Sequence, residues 1–310
     1  MRTLIVSLRN RCAPWLHACS ARGIALALPI GAAAFLAVNG RVDAQDLSPA
    51  APPLSTTAAS TSAVASAGLT AICTDRPSKS NSPCTADAGH FQYESDLVNY
   101  SSLRQGDSTI ATWLIVNPTL KYGVTDKVDI EVNIAALEIV HGAATAGGKD
   151  TLAGVSDLYL RVKYEFANLP NVLQAAIIPY VKAATARAGI GNGAVEGGWI
   201  LPVAYEPNAV LTITLAPEVD IYQNSVGSGL HLNTAQVLTL SFNLPRNVTL
   251  YTELWGNWNF DPAGTIRQRS LDFALAFAPT NYLQLDAGVN VGLNRATPQV
   301  EAYLGLSQKF

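Results

Sequence analysis

The sequence predicts an all-β fold, a closed up-and-down antiparallel transmembrane β-barrel of about twelve strands, and three observations lead there. From His90 onward, apolar and polar residues alternate in segment after segment, the period of a strand whose two faces meet different surroundings. The connections between segments alternate between tight turns and longer polar loops. The final stretch, VEAYLGLSQKF, stops in mid-strand on an aromatic ring, although chain ends are normally frayed and polar, so this strand requires a partner.

Twelve segments carry the alternation, at 89–100, 109–122, 127–140, 155–167, 172–186, 196–206, 209–222, 230–244, 248–260, 269–278, 282–293 and 300–310. In YLQLDAGVNVGLN, Leu283, Leu285, Ala287, Val289, Val291 and Leu293 share one parity and Gln284, Asp286, Gly288, Asn290, Gly292 and Asn294 the other. SDLYLRVKYEF sets Leu158, Leu160, Val162, Tyr164 and Phe166 against Asp157, Arg161, Lys163 and Glu165. Tight turns follow the even segments, at 123–126, 168–171, 207–208, 245–247 and 279–281, and longer loops follow the odd ones, as at 141–154, 187–195 and 261–268. An even strand count with short turns on one rim puts both termini on that rim, the periplasmic side of a bacterial outer-membrane barrel. A soluble exported sandwich would share the alternation, but its strands usually run to about 5–6 residues, whereas a tilted bilayer-spanning strand needs about 9–11. Tyr100, Tyr122, Tyr164, Tyr205, Tyr222, Trp258, Tyr282 and Phe310 fall near strand ends, where interfacial girdles form.

The N-terminal part reads differently. Arg2, Arg9, Arg11 and Arg22 precede the apolar run GIALALPIGAAAFLAV, and Val42-Asp43-Ala44 offers small residues for a cut before Gln45, so 1–44 reads as a signal peptide. The competing reading, a permanent anchor, asks sixteen residues rich in Gly, Pro and Ala to span a bilayer, short of the roughly 20 required. Residues 45–70, almost entirely Ala, Ser, Thr and Pro with few large side chains, are expected to form a flexible tether. Residues 71–89 are expected to form an ordered periplasmic cap or plug leading into a barrel at 90–310. Cys12 and Cys19 leave with the signal, and the remaining pair, Cys73 and Cys84, is expected to form a disulfide in an oxidising compartment.

The chain of 310 residues is 49% hydrophobic and 14% charged, too apolar for a disordered chain. Removing 1–44 moves the formal charge from −3 to about −7, which argues against a nucleic-acid partner. No C-x-x-C and no third ligand near the cysteine pair are present, so no metal or cofactor is expected.

Assigning the apolar parity to lipid directs the other parity into the lumen: Glu94, Asp96, Lys121, Asp129, Glu131, Arg161, Lys163, Glu165, Lys182, Glu218, Asp220 and Glu253. These charges either set the selectivity of a polar conduit or pair across the lumen and block it. A hydrolytic set of Ser225 or Ser228 with His231 and Asp220 can be drawn, as can a carboxylate pair at Asp129 and Glu131. Sequence proximity is not catalytic geometry, and the chain reads as no enzyme.

Asp75-Arg76-Pro77, Gly89-His90-Phe91-Gln92-Tyr93-Glu94, PTLKYGVTDKVDIEV and GVSDLYLRVKYEF occur in an order and spacing that resembles the exported family named for the "MetA-pathway of phenol degradation", over roughly 74–310. The resemblance implies an outer-membrane barrel that passes small, often aromatic or hydrophobic, solutes, with no established catalytic residues. The leading expectation is therefore passive passage of small solutes. The alternatives are a plugged barrel with a structural or adhesive role and a barrel lipid hydrolase. Expected partners are outer-membrane lipid and lipopolysaccharide, the small solute, and the barrel assembly machinery, for which terminal Phe310 resembles the recognition signal.

Overall fold

The computed structural model describes residues 70–106, 108–142 and 151–310; the expected signal peptide (1–44) and the expected tether (45–70), apart from residue 70, lie outside the described residues. Fifteen strand segments form one antiparallel sheet: β1 (Phe91–Gln105), β2 (Ser108–Thr125), β3 (Val128–Asn133), β4 (Leu137–His141), β5 (Thr151–Gly154), β6 (Leu158–Leu169), β7 (Leu173–Ala183), β8 (Glu196–Ile200), β9 (Val203–Tyr205), β10 (Leu211–Gln223), β11 (Leu230–Leu244), β12 (Val248–Asn259), β13 (Ile266–Thr280), β14 (Leu283–Gly292) and β15 (Val300–Lys309). The pairs β3–β4, β5–β6 and β8–β9 are single strands with a break, so the sheet is a barrel of twelve staves.

Closure comes from β1, which pairs with β2 on one side and with β15 on the other. The last backbone donor, Phe310 N–H, bonds the Phe91 carbonyl at 2.8 Å, and Phe310 O lies 2.9 Å from His90 Nδ1. The strand that ends the chain is thus the seam, and no edge is left unpaired there, as a spanning barrel requires.

The two faces separate as the alternation dictates. On β13, Phe273, Leu275 and Phe277 face outward and exposed, while Ser270, Asp272, Ala274 and Ala276 are buried. An outward ring of exposed large apolar side chains around a polar inside reverses a soluble protein, and lipid is the solvent that makes it favourable.

The breaks have local causes. Pro202, between β8 and β9, has no N–H to give the ladder, although its carbonyl still accepts from Ala176 at 3.1 Å. At the β3–β4 break, Val116 of β2 adopts a left-handed φ of 51°, and its carbonyl accepts Ala136 N–H at 2.8 Å.

Two expectations need correction. The first connection, expected as a loop across 101–108, is a tight reversal at Gly106 with Gln105 opposite Ser108. Polar strand ends can keep pairing beyond the apolar band, where side-chain alternation no longer reports on the backbone. Tyr222, grouped with the interfacial aromatics, lines the interior with Asp220, whose parity it shares.

Candidate functional site

The lumen is the candidate site, and its inner end is occupied by the segment preceding β1. Thr85 Oγ1 donates to the Asp126 carbonyl at 3.1 Å and Ile72 N–H to the Asn281 carbonyl at 2.6 Å, so this segment enters past the short-turn rim. The Cys73–Cys84 disulfide closes it into a loop, with Cα atoms 6.4 Å apart. The segment expected as a cap or plug therefore carries its polar side chains against the inner wall.

Asp75 and Arg76 are its anchors. The Asp75 carboxylate bonds Lys121 Nζ and, at 2.6 Å, Lys163 Nζ, while Lys121 also meets Glu94 Oε1 at 2.7 Å and Lys163 meets Glu131 Oε1 at 3.3 Å. Burial by itself raises the Asp75 carboxyl, but the two ammonium groups outweigh it and hold the group well below the usual carboxylate range. Arg76 spans two strands: Nη1 to Asp96 Oδ1 at 2.6 Å, and Nη2 and Nε to the two oxygens of Asp286 at 2.7 and 3.2 Å. Its guanidinium also lies 5.6 Å from the centre of the Tyr303 ring. Burial would lower the guanidinium and the two aspartates more than offset it, so the charge is secure. Gly305 makes this possible, because a Cβ there would collide with Arg76 Nη2.

Further contacts finish the closure. Ser78 bonds Glu253, and Lys79 Nζ lies 2.9 Å from Asp272 and 4.9 Å over the Trp255 ring. At the rim, Lys309 Nζ meets Asp87 at 2.9 Å and Ala86 N–H donates to Asp129 Oδ2 at 2.9 Å.

Ten of the twelve lumen candidates, Glu94, Asp96, Lys121, Asp129, Glu131, Lys163, Glu165, Lys182, Asp220 and Glu253, are buried. Arg161 and Glu218 are half-buried; Glu218 lines a cavity, and Arg161 Nη1 lies 3.9 Å from Glu131. The structure gathers Glu94, Lys121, Glu131 and Lys163 around Asp75. Lys182 stands apart, paired with Glu196 at 2.7 Å beside the 184–195 connection. Sequence reasoning missed Asp272, Asp286, Glu301 and Lys309, although each lies on the polar parity of its strand. It also missed Trp255, which packs on an inward apolar cluster of Ile178, Ile200, Ala216 and Val237. Apolar residues on both parities hide such a cluster from a pattern search.

Toward the long-loop end the interior opens. One cavity of about 350 Å³ is lined by Lys79, Glu218, Trp255, Gln268, Ser270, Asn290, Thr297, Pro298 and Glu301. A second of about 350 Å³ shares Glu218, Trp255 and Gln268 and adds Asp220, Tyr222, Asn233 and Asn257. Together they form a vestibule at the long-loop end, the outer end by name as the short-turn end is the inner one.

The hydrolytic set does not assemble around Asp220, whose oxygens accept from Tyr180 at 2.6 Å and Asn233 at 2.8 Å. His231 Nδ1 instead lies 3.1 Å from Asn224 Oδ1, and Asp261 takes the Ser225 backbone N–H at 2.9 Å. Asp129 and Glu131 are both fully buried, Asp129 accepting from Ala86 and Glu131 beside Lys163.

Among solved structures, the COG4313 outer membrane channel from Pseudomonas putida F1 is similar, with a TM-score of 0.58 at 15% identity over 76% of this chain and 99% of that one. At that identity the likeness establishes the fold, an outer-membrane barrel. The NanC porin (TM-score 0.49, 8% identity, 71% of this chain and 100% of that one) and the KdgM porin in complex with disordered oligogalacturonate (0.44, 8%, 71% and 99%) are more distant. No curated protein matches the sequence. The family model for "Putative MetA-pathway of phenol degradation" matches residues 74–310, and the chain, with its Asp75-Arg76 anchor inside that match, belongs to this family.

Proposed function

We propose that the protein is an outer-membrane channel for passive passage of small solutes, aromatic and hydrophobic ones included, and not an enzyme. The observation that carries this reading is the outer vestibule, whose two adjoining cavities of about 350 Å³ combine polar groups with the Trp255 and Tyr222 rings inside a barrel with an apolar exterior. Cavities that take small organic molecules typically span about 300–1,000 Å³ and mix apolar walls with a few placed polar groups. The family name and the channel fold support the same class of solute.

In this reading the short-turn rim, with both ends of the described barrel, faces the periplasm, and the long connections face outward toward lipopolysaccharide. The twelve inward candidates are the wall that sets selectivity. Phe310, exposed at the seam, is the residue offered to the barrel assembly machinery.

A second reading, a plugged barrel with a structural or adhesive role, is favoured by the ion pairs that Asp75, Arg76 and Lys79 make at the inner end. Liposome swelling and planar-bilayer conductance separate the two. The channel reading expects swelling with pentoses and small amino acids above the protein-free rate; no permeation of any small solute overturns it in favour of the plug.

A further inference from the structure

The outer vestibule holds carboxylates that face open space without an ion-pair partner. Glu218 and Asp220 stand two residues apart on the inner face of β10 and both line it. Among the described residues neither has a cationic group within 4.0 Å, whereas every carboxylate around Asp75 and Arg76 shares a cluster with one. The nearby cations are engaged elsewhere. Lys79 reaches the vestibule but pairs with Asp272 at 2.9 Å, and Arg161 is turned toward Glu131 and lies 5.7 Å over the Tyr159 ring.

A second observation is independent of charge. Asn233, buried in the same wall, gives its Nδ2 to Asp220 at 2.8 Å and leaves Oδ1 with no donor. Asn290, across the vestibule, gives its Nδ2 to Glu301 at 2.8 Å and likewise leaves Oδ1 unmatched. A buried acceptor without a donor is costly in a folded protein and calls for an explanation. Two carboxylates without a cationic partner thus face the vestibule, in a wall whose buried amides are incompletely paired behind them. Tyr222 adds an aromatic face that favours both a flat apolar body and a cation, beside Trp255, over whose ring the Lys79 ammonium already lies.

We propose that this vestibule binds small organic ammonium ions with an aromatic body, the ammonium between Glu218 and Asp220 and the ring against Tyr222 and Trp255. The inference deepens the channel reading, and rests on it, by naming a solute class. An organic cation fits better than a metal ion. The cavity is far larger than a bare ion, and no group of three metal-ligating side chains occurs among the described residues. The N–H donors of the guest match the carboxylate oxygens of Glu218 and Asp220.

Calorimetric titration of the purified full chain in neutral detergent tests this with three isosteric probes: phenethylammonium, 2-phenylethanol and phenylacetate. The expected result is ammonium binding about tenfold tighter than the alcohol, and phenylacetate weakest, since buried charge complementarity is worth at least that factor. Glu218→Gln should weaken the ammonium about threefold and leave the alcohol unchanged, as half-exposed carboxylates contribute modestly. Glu218→Gln with Asp220→Asn should weaken it about tenfold. Should Asp220→Asn not assemble, the single variant carries the test, with heat-modifiable gel migration verifying its fold. Equal affinity for the three probes, preference for phenylacetate, displacement by an equal concentration of potassium, or unchanged ammonium affinity in Glu218→Gln overturns the proposal. Swelling assays report passage separately. Permeation without ammonium preference sinks this inference alone, and ammonium binding without permeation sinks the channel reading alone.

Discussion

The inner and outer halves of the lumen are written in the same alternating pattern and reach opposite electrostatic states. In the inner half, Lys121 and Lys163 are almost completely buried yet surrounded by Asp75, Glu94 and Glu131, and Asp96 and Asp286 share Arg76. In the outer half, Glu218 and Asp220 face a cavity with no ion-pair partner among the described residues. The difference comes from residues 70–89, which carry Asp75 and Arg76 into the inner half and reach the vestibule with Lys79, whose ammonium pairs with Asp272. Strand parity puts charge inside a barrel, but whether that charge is neutralised depends on what else enters.

The comparison breaks most directly at Asp75. Asp75→Ala leaves Lys121 and Lys163 buried with one fewer counter-charge, and removing one partner of a buried pair costs about 3–5 kcal/mol. Chemical unfolding in detergent should register a loss at the lower end of that range, because Glu94 and Glu131 remain; an unchanged midpoint would mean that the inner half is not held by this cluster. Glu218→Gln, in the half without pairs, should shift the midpoint by less than about 0.5 kcal/mol in the same assay.

A smaller effect is expected from Gly305→Ala, whose new Cβ occupies the space of the Arg76 guanidinium. The wall folds as before while Arg76 loses its fit to Asp96 and Asp286. Trypsin cleavage after Lys79, whose ammonium is engaged by Asp272 in the parent chain, should then proceed faster. Cleavage at the parent rate would show that the segment is held independently of Arg76.

The smallest effect is that of pH, and its sign is fixed. The folded-state carboxyls of Asp75 and Asp87 lie below their ordinary values; at Asp87 burial raises the group, and Thr70 and Lys309 more than offset it. A depressed carboxyl contributes stability that is present above its unfolded value of about 3.9 and is lost as pH falls through the folded value. Stability against guanidinium should therefore be flat from pH 8 to about pH 5 as far as these groups govern it, and decline below about pH 4. A decline that began near pH 7 would assign the inner-end closure to other groups.

Much of the fold was legible because the bilayer imposes a simple rule. The stretch Leu283–Leu293 and the end at Phe310 each told which face meets lipid, and twelve staves follow from counting such stretches. The first hairpin was misjudged because the stretch 101–109, SSLRQGDST, is almost wholly polar, so parity carries no signal there although the strands keep pairing. Of the site, the charged wall could be read from parity, and Asp272 and Asp286 carried the same signal without being singled out. Asp75 and Arg76 could not be read that way, since they lie in a segment with no periodicity at all.

By itself the sequence determined a closed barrel of about twelve strands and the Cys73–Cys84 pair, because each of these follows from local alternation, turn chemistry or residue count. Only the tertiary structure decided which charges meet. Arg76 reaches Asp286 across 210 positions of chain, and Glu218 is left facing open space although it stands on the same kind of strand. Alternation fixes the direction of a side chain, whereas neutralisation depends on distances of a few ångströms between distant segments, and that is set by how the barrel closes around its own N-terminal stretch.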